Sequence, residues 1–250
     1  MFPYKDENPT SIRPVITVSV VVINVLAWLL LQGAGNAGAL AESICELGLI
    51  PGDLLGRLPD GYELPIGQGM ACVMSGSPAL HTPFTSMFLH GSWFHLLGNM
   101  WFLWVFGNNI EDAMGHLRFV VFYLLCGLLA AAAQVASAPS SPVPMVGASG
   151  AISGVMGAYL VLYPRVRVHT LIFLGIFITR VTLPAWLMLV YWAFLQMLGS
   201  LPAVAGADSG GGVAFMAHLG GFVAGVVLIK LFAKPGFVER HRRPVPIGGY

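Results

Sequence analysis

Charge is what this sequence has least of. Only 9% of its 250 residues are charged and 56% are hydrophobic, whereas an ordinary soluble domain carries roughly 25% charged residues. Such a chain lacks the polar surface needed to sit in water. Twelve Lys and Arg stand against eleven Asp and Glu, for a net charge of +1. That excludes the basic face on which nucleic-acid binding depends. The high apolar content likewise excludes disorder. Cysteine is scarce as well, and three are too few for a disulfide scaffold. A polytopic, all-α membrane protein of one domain remains.

Long apolar runs are present in its place. A helix that crosses the hydrocarbon core needs about 20 mostly apolar residues. Six stretches are candidates, three of them shorter than that: Pro14–Gln32, about Trp93–Phe106, Phe119–Ser137, Ser149–Tyr163, about Leu183–Leu198 and Val213–Phe232. They predict a six-helix bundle with its core at about 14–232 inside a single domain covering 1–250, with short tails at both ends. The stretch Val168–Thr179, between Arg167 and Arg180, reads as an interfacial or re-entrant segment, with a seventh span as the alternative. Ala39 and Ala41 resemble a cleavage site, but Val15–Leu31 is longer than the roughly 7–15 residues of a signal-peptide core, so a retained helix is expected.

The few cations fix the orientation. With the N-terminus cytoplasmic, eleven basic residues lie inside: Lys5, Arg13, Arg118, Arg165, Arg167, Arg180, Lys230, Lys234, Arg240, Arg242 and Arg243. Arg57 alone lies outside. Both termini are therefore expected in the cytoplasm of a cell-membrane protein. The first outer loop, Gly33–Thr85, is long, and loops of that length are often functional. Its stretch Leu47–Leu58 is amphipathic and suits the headgroup region. Cys45 and Cys72 share that loop, on the side where disulfides form, and a bridge or two free thiols fit equally. Cys126, inside the third span, reads as a small apolar residue.

Polar groups at membrane depth are costly and mark functional sites. Ser149 opens the fourth span in Gly147-Ala148-Ser149-Gly150, and His218 lies early in the sixth. His95 and Asn99 share one face of the second, His90 precedes it and Glu111 follows it. Serine between glycines is ordinarily a packing residue in such helices. The sharper reading is a nucleophile, which needs a base within about 2.6–3.2 Å, and His218 is the available base. Small residues at Gly150 and Gly154, and at Ala217, Gly221 and Gly225, let the fourth and sixth spans approach closely. At about 1.5 Å per residue the fourth span is about 22 Å long, short of the roughly 30 Å core. Ser149 is thus expected at the floor of a cavity open to the outside. Oxyanion donors would be the Ser149 backbone N–H, His95 and Asn99. No acid is placed to orient His218, so a dyad is readable and a triad is not. No metal site or cofactor is suggested.

Taken together these motifs resemble the rhomboid family of intramembrane serine proteases. The match is His95-x-x-x-Asn99, Gly147-x-Ser149-Gly150 and Ala217-His218-x-x-Gly221, with Gly107, Glu111 and Gly115 after the second helix. The resemblance covers about Leu47–Phe232. It implies Ser149 as nucleophile, His218 as base and His95, Asn99 and the Ser149 N–H as oxyanion donors. It implies a structural or cavity-shaping role for His90 and a structural helix-end role for Glu111, bonding neighbouring backbone. Two departures stand out: His81-Thr82 replaces a frequent Trp-Arg pair, and Ser153 replaces a tyrosine that stacks on the histidine. The implied partners are transmembrane protein substrates and the lipid bilayer, with no nucleic acid; the sequence sets no oligomeric state. Ser200–Gly212, with four glycines, is expected to act as a mobile cap that gates entry together with the fifth helix. The rival classes are an inactive family member that binds membrane proteins, and a transporter, which would need a midplane acid.

Overall fold

The computed structural model describes residues 2–67, 70–74, 76–174, 177–204 and 214–242. Ten α-helices and five short strands occur among them. Helix α1 (Val15–Leu26) runs on into a π-helical turn, Ala27–Leu31. The long loop then folds into α2 (Ala37–Leu47), α3 (Pro51–Leu54), a hairpin of β2 (Glu63–Gly67) and β3 (Met70–Val73), and α4 (Thr82–Thr85). The bundle continues with α5 (Trp93–Met114), α6 (His116–Ser137), α7 (Ser149–Leu162), α8 (Ala185–Val204) and α9 (Phe215–Phe232), and α10 (Pro235–Arg242) follows.

Each expected span is a helix, with shifted ends. The largest shift is in the second, which runs on past Phe106 for two turns and takes in Glu111 and Asp112. Gly115 turns the chain straight into α6, and its φ of 82° needs a residue without a side chain. By length and hydropathy, α6 and α9 can cross a membrane on their own. The other apolar helices, Val15–Leu31, Ser149–Leu162 and Ala185–Leu201, are shorter. Exposed apolar side chains cover the outside of the bundle, with Leu117 79% exposed and Leu231 75%. The core packs Trp28, Leu103, Phe106, Ile110, Phe119, Phe122 and Tyr159 between the helices.

The all-α expectation is corrected at two places, the β2–β3 hairpin of the long loop and a three-stranded sheet. Val168–Thr179 is not a seventh spanning helix; it belongs to the hairpin of β4 (Arg167–Leu174) and β5 (Phe177–Pro184). β1 (Phe2–Asp6) pairs antiparallel with β4, giving a three-stranded sheet in the order β1-β4-β5. The residues there are largely β-branched or aromatic, which suits strands, and their third strand comes from the far end of the sequence. Asp6 fixes this sheet to the bundle: its Oδ2 accepts from the Tyr159 hydroxyl at 2.6 Å and from Asn109 Nδ2 at 2.8 Å. Burial pushes the Asp6 carboxyl up to about 6, against the lowering pull of those donors.

The long loop is folded and anchored to the bundle. Leu49 and Ile50 are buried, and Leu49 bridges to Met145. Cys45 and Cys72 form a disulfide that joins α2 to β3. His81 Nε2 donates to the Glu46 carbonyl at 3.1 Å, and Thr85 Oγ1 to the Leu47 carbonyl at 2.7 Å. His81 and its neighbours thus tie α4 to the end of α2 without a Trp-Arg pair. Cys126 is buried against Gly154, where any side chain would collide with it.

Candidate active site

Two helix starts meet at this site. Ser149 is the first residue of α7, where backbone N–H groups have no intrahelical partner. His218 lies in the first turns of α9. The helices touch backbone to backbone: a methyl group on Gly221 would collide with the Gly150 carbonyl, and one on Gly225 with the Gly154 carbonyl. Only that closeness lets a serine side chain reach an imidazole on the neighbouring helix. His218 Nε2 is 2.8 Å from Ser149 Oγ.

The opposite nitrogen of the ring settles its protonation pattern. His218 Nδ1 is 2.8 Å from Gln196 Oε1, on α8. An amide oxygen only accepts, so Nδ1 carries the hydrogen and Nε2 is left with the lone pair that accepts from the serine hydroxyl. Trp192, one turn earlier on α8, lies beside the ring with centroids 5.9 Å apart. On α6, Gln134 Oε1 accepts from the Ala217 N–H at 3.2 Å and so caps the first turn of α9. The motif reading passed over Gln134, Trp192 and Gln196. Gln134 and Gln196 carry a signal, a polar amide within an apolar span, whereas Trp192 carries none.

His95 and Asn99 approach from α5. The Ser92 side chain caps this helix by accepting from the His95 N–H at 3.1 Å. His95 Nδ1 accepts from the Gly91 N–H at 3.3 Å, which leaves Nε2–H as the donor on the other edge of the ring. That edge faces Gly147. A Cβ on Gly147 would lie 2.8 Å from His95 Nε2 and 3.5 Å from Ser149 Oγ, and its φ is 131°. Glycine is therefore required here both for space and for backbone conformation. Asn99 is buried, and its Nδ2 finds no partner among the described residues. A cavity of about 800 Å³ brings together His95, Asn99, Gly147, Ser149, Gly150 and His218, walled on one side by Ser140–Val146.

The remaining sequence-selected residues stand back from the cavity. His90 is fully buried behind His95, with the two rings edge to face at 5.0 Å. Its backbone is held at both N–H and carbonyl by the Gln32 amide, each bond 2.8 Å. Burial, and after it the charge of His95, pushes His90 down to about 3, so it is neutral at physiological pH. Gly221 lies in the α7–α9 contact. Glu111 sits at the opposite end of the bundle, accepting from the Ile16 and Thr17 N–H groups at 2.9 and 2.8 Å and from the Thr17 hydroxyl at 2.7 Å. It thereby caps α1, whose own Pro14 offers no side-chain bond. Of the expected cap Ser200–Gly212, Ser200–Val204 belong to α8, and residues 205–212 lie outside the described residues. Among the described residues, no three His, Cys, Asp or Glu are grouped to hold a metal ion.

The chain is similar in sequence to known proteins. The chain is 29% identical over 160 residues to rhomboid-like protein 11, chloroplastic, of Arabidopsis thaliana, covering 63% of this chain and 54% of that protein. It is 31% identical over 162 residues to rhomboid protein 1, mitochondrial, of Saccharomyces cerevisiae, covering 63% and 43%. Over 76 residues it is 41% identical to rhomboid protease GluP of Bacillus subtilis, covering 30% and 14%. The chain therefore spans about half the length of the first two relatives. The family model of the Rhomboid domain matches residues 78–235, a stretch that contains Ser149, His218, His95 and Asn99, and the chain belongs to the rhomboid family.

Proposed function

We propose that this chain is an intramembrane serine endopeptidase that hydrolyses peptide bonds in or near the membrane-spanning segments of other proteins. The observation that carries this reading is the 2.8 Å contact between Ser149 Oγ and His218 Nε2 at the floor of a cavity rimmed by hydrogen-bond donors.

The chemistry follows from those atoms. His218 Nε2 takes the Ser149 hydroxyl proton as Oγ attacks the scissile carbonyl. The carbonyl oxygen gains the negative charge, and the Ser149 N–H, Asn99 Nδ2 and His95 Nε2–H are the donors assigned to stabilise it. His218 returns the proton to the departing amine as the C–N bond breaks. A water molecule then attacks the acyl-serine, giving its proton to His218, and Ser149 is released with its hydroxyl restored. Substrate helices must unwind locally to present a carbonyl, which favours small or helix-breaking residues near the cut.

In this reading α1, α5, α6, α7, α8 and α9 are six spans of one domain. The fourteen residues of α7 give a helix of about 21 Å, which sets Ser149 below the surface of a core about 30 Å thick. The chain sits in the cell membrane with both termini on the cytoplasmic, cation-rich side and the cavity opening on the other. The test is turnover of a fluorogenic transmembrane substrate by purified protein in detergent or liposomes. Wild type is expected to cleave it, and Ser149→Ala and His218→Ala to lose at least 10³-fold. Binding without cleavage by the wild type would point instead to a non-catalytic membrane-protein binder.

A further inference from the structure

Among the described residues His218 has no acid partner, and the position from which a tyrosine would stack on it holds Ser153. The Ser153 hydroxyl is turned back to the Ser149 carbonyl of its own helix, at 2.6 Å, and so cannot hold the ring. The ring is held from α8. Gln196 Oε1 accepts from Nδ1–H at 2.8 Å, and Trp192, four residues earlier and hence on the same face, lies against the ring plane at a tilt of 41°. Trp192 also rests on Phe222, one turn beyond His218 on α9, with centroids 6.0 Å apart. The Trp192 ring therefore spans a full turn of α9, and Gln196 reaches the imidazole nitrogen beside it.

We propose that Gln196 is the positioning residue of the Ser149–His218 pair, with Trp192 supporting the ring from the side. This inference rests on the protease reading. A neutral imidazole exists as two tautomers, and only the one with its hydrogen on Nδ1 can accept from Ser149. The Gln196 carbonyl selects that tautomer and sets the ring plane. Because Gln196 is uncharged, it supports the imidazolium formed during attack less than a carboxylate would. The selecting residue sits on a different helix from either member of the pair. Any displacement of α8 that opens the bundle beside the site therefore also releases the base.

The test uses the full chain in detergent micelles. Wild type, Gln196→Leu, Gln196→Met and Gln196→Glu are compared for the rate of labelling by a fluorophosphonate and for kcat and KM on a fluorogenic substrate between pH 5 and 9. Thermal unfolding serves as the fold check. Among the described residues, the other titratable groups facing His218 are Ser149 on α7 and His95 on α5, and neither is altered. The Leu and Met variants are expected to lose roughly 10–100-fold in kcat with KM held within about twofold, below the ~10⁴-fold cost of removing a charged orienting group. Gln196→Glu is expected to recover most of that loss and to move the acid limb of the pH profile upward by about one unit, since a carboxylate favours the imidazolium. Labelling of Leu and Met at the wild-type rate, an unmoved acid limb in Gln196→Glu, or losses that only track the folded fraction would each overturn the proposal. Failure of the wild type itself to react would overturn the protease reading and this inference with it, whereas a reactive wild type matched by all three variants overturns the inference alone.

Discussion

Asn99 separates a catalytic donor from a structural one. It is buried, and its Nδ2 has no partner among the described residues. An unpaired buried donor costs stability, so its presence calls for a use outside the folded ground state. Asn99→Ala is expected to lower kcat by about 10²–10³ with little change in KM, while the unfolding temperature holds or rises. A fall in both together would mean that the amide only holds helices together. At this scale the site was largely legible. Ser149, His218, His95 and Asn99 are rare polar groups in apolar surroundings, and their spacing placed each on a span. The partners of His218 were not legible. Gln196 stands out only as a lone amide and Trp192 not at all, and nothing local reveals that α8 packs their face against α9.

Elements raise a different question, that of close approach. α7 and α9 meet without side chains between them, and even a methyl on Gly225 would strike the Gly154 carbonyl. Overpacking of a tight contact costs about 1–3 kcal/mol. Gly225→Ala is accordingly expected to lower the unfolding temperature by several degrees and to slow fluorophosphonate labelling, because Ser149 and His218 are carried apart; unchanged labelling would show that the pair tolerates a wider gap. The sheet makes a second element-scale prediction. The Asp6 carboxyl titrates near 6 when folded and near its ordinary 3.8 when unfolded, so the folded chain holds the extra proton between those values. Its contribution is full below about pH 4 and is lost as pH rises through 6, by an amount of order 3 kcal/mol. Thermal unfolding from pH 4 to 7 should show that decline in wild type and a flatter profile in Asp6→Asn. Helices were readable as apolar runs, since their bonds are local. Strand β1 was not, because its partner β4 is more than 160 residues away and only long-range packing joins them.

For the molecule as a whole the decisive property is sidedness. Eleven of its twelve Lys and Arg fall on one expected side and Arg57 on the other. The Cys45–Cys72 disulfide belongs to the same long loop as Arg57, and that loop is tied to the Ser149 end of the bundle through the Leu49–Met145 bridge. Disulfides persist in oxidising compartments, so charge and sulfur chemistry point to the same face. In sealed vesicles of known orientation, an impermeant maleimide is expected to label Cys45 and Cys72 from the cavity side only after reduction. A cysteine placed at Lys5 should react from the opposite side, and labelling of both from one side would contradict the arrangement. Whether Ser149 is a nucleophile activated by His218 is decided by mass spectrometry of the purified chain after fluorophosphonate treatment. One adduct is expected, on the peptide containing Ser149, absent from Ser149→Ala and from His218→Ala. A folded wild type that carries no adduct, or an adduct elsewhere that survives His218→Ala, would contradict it.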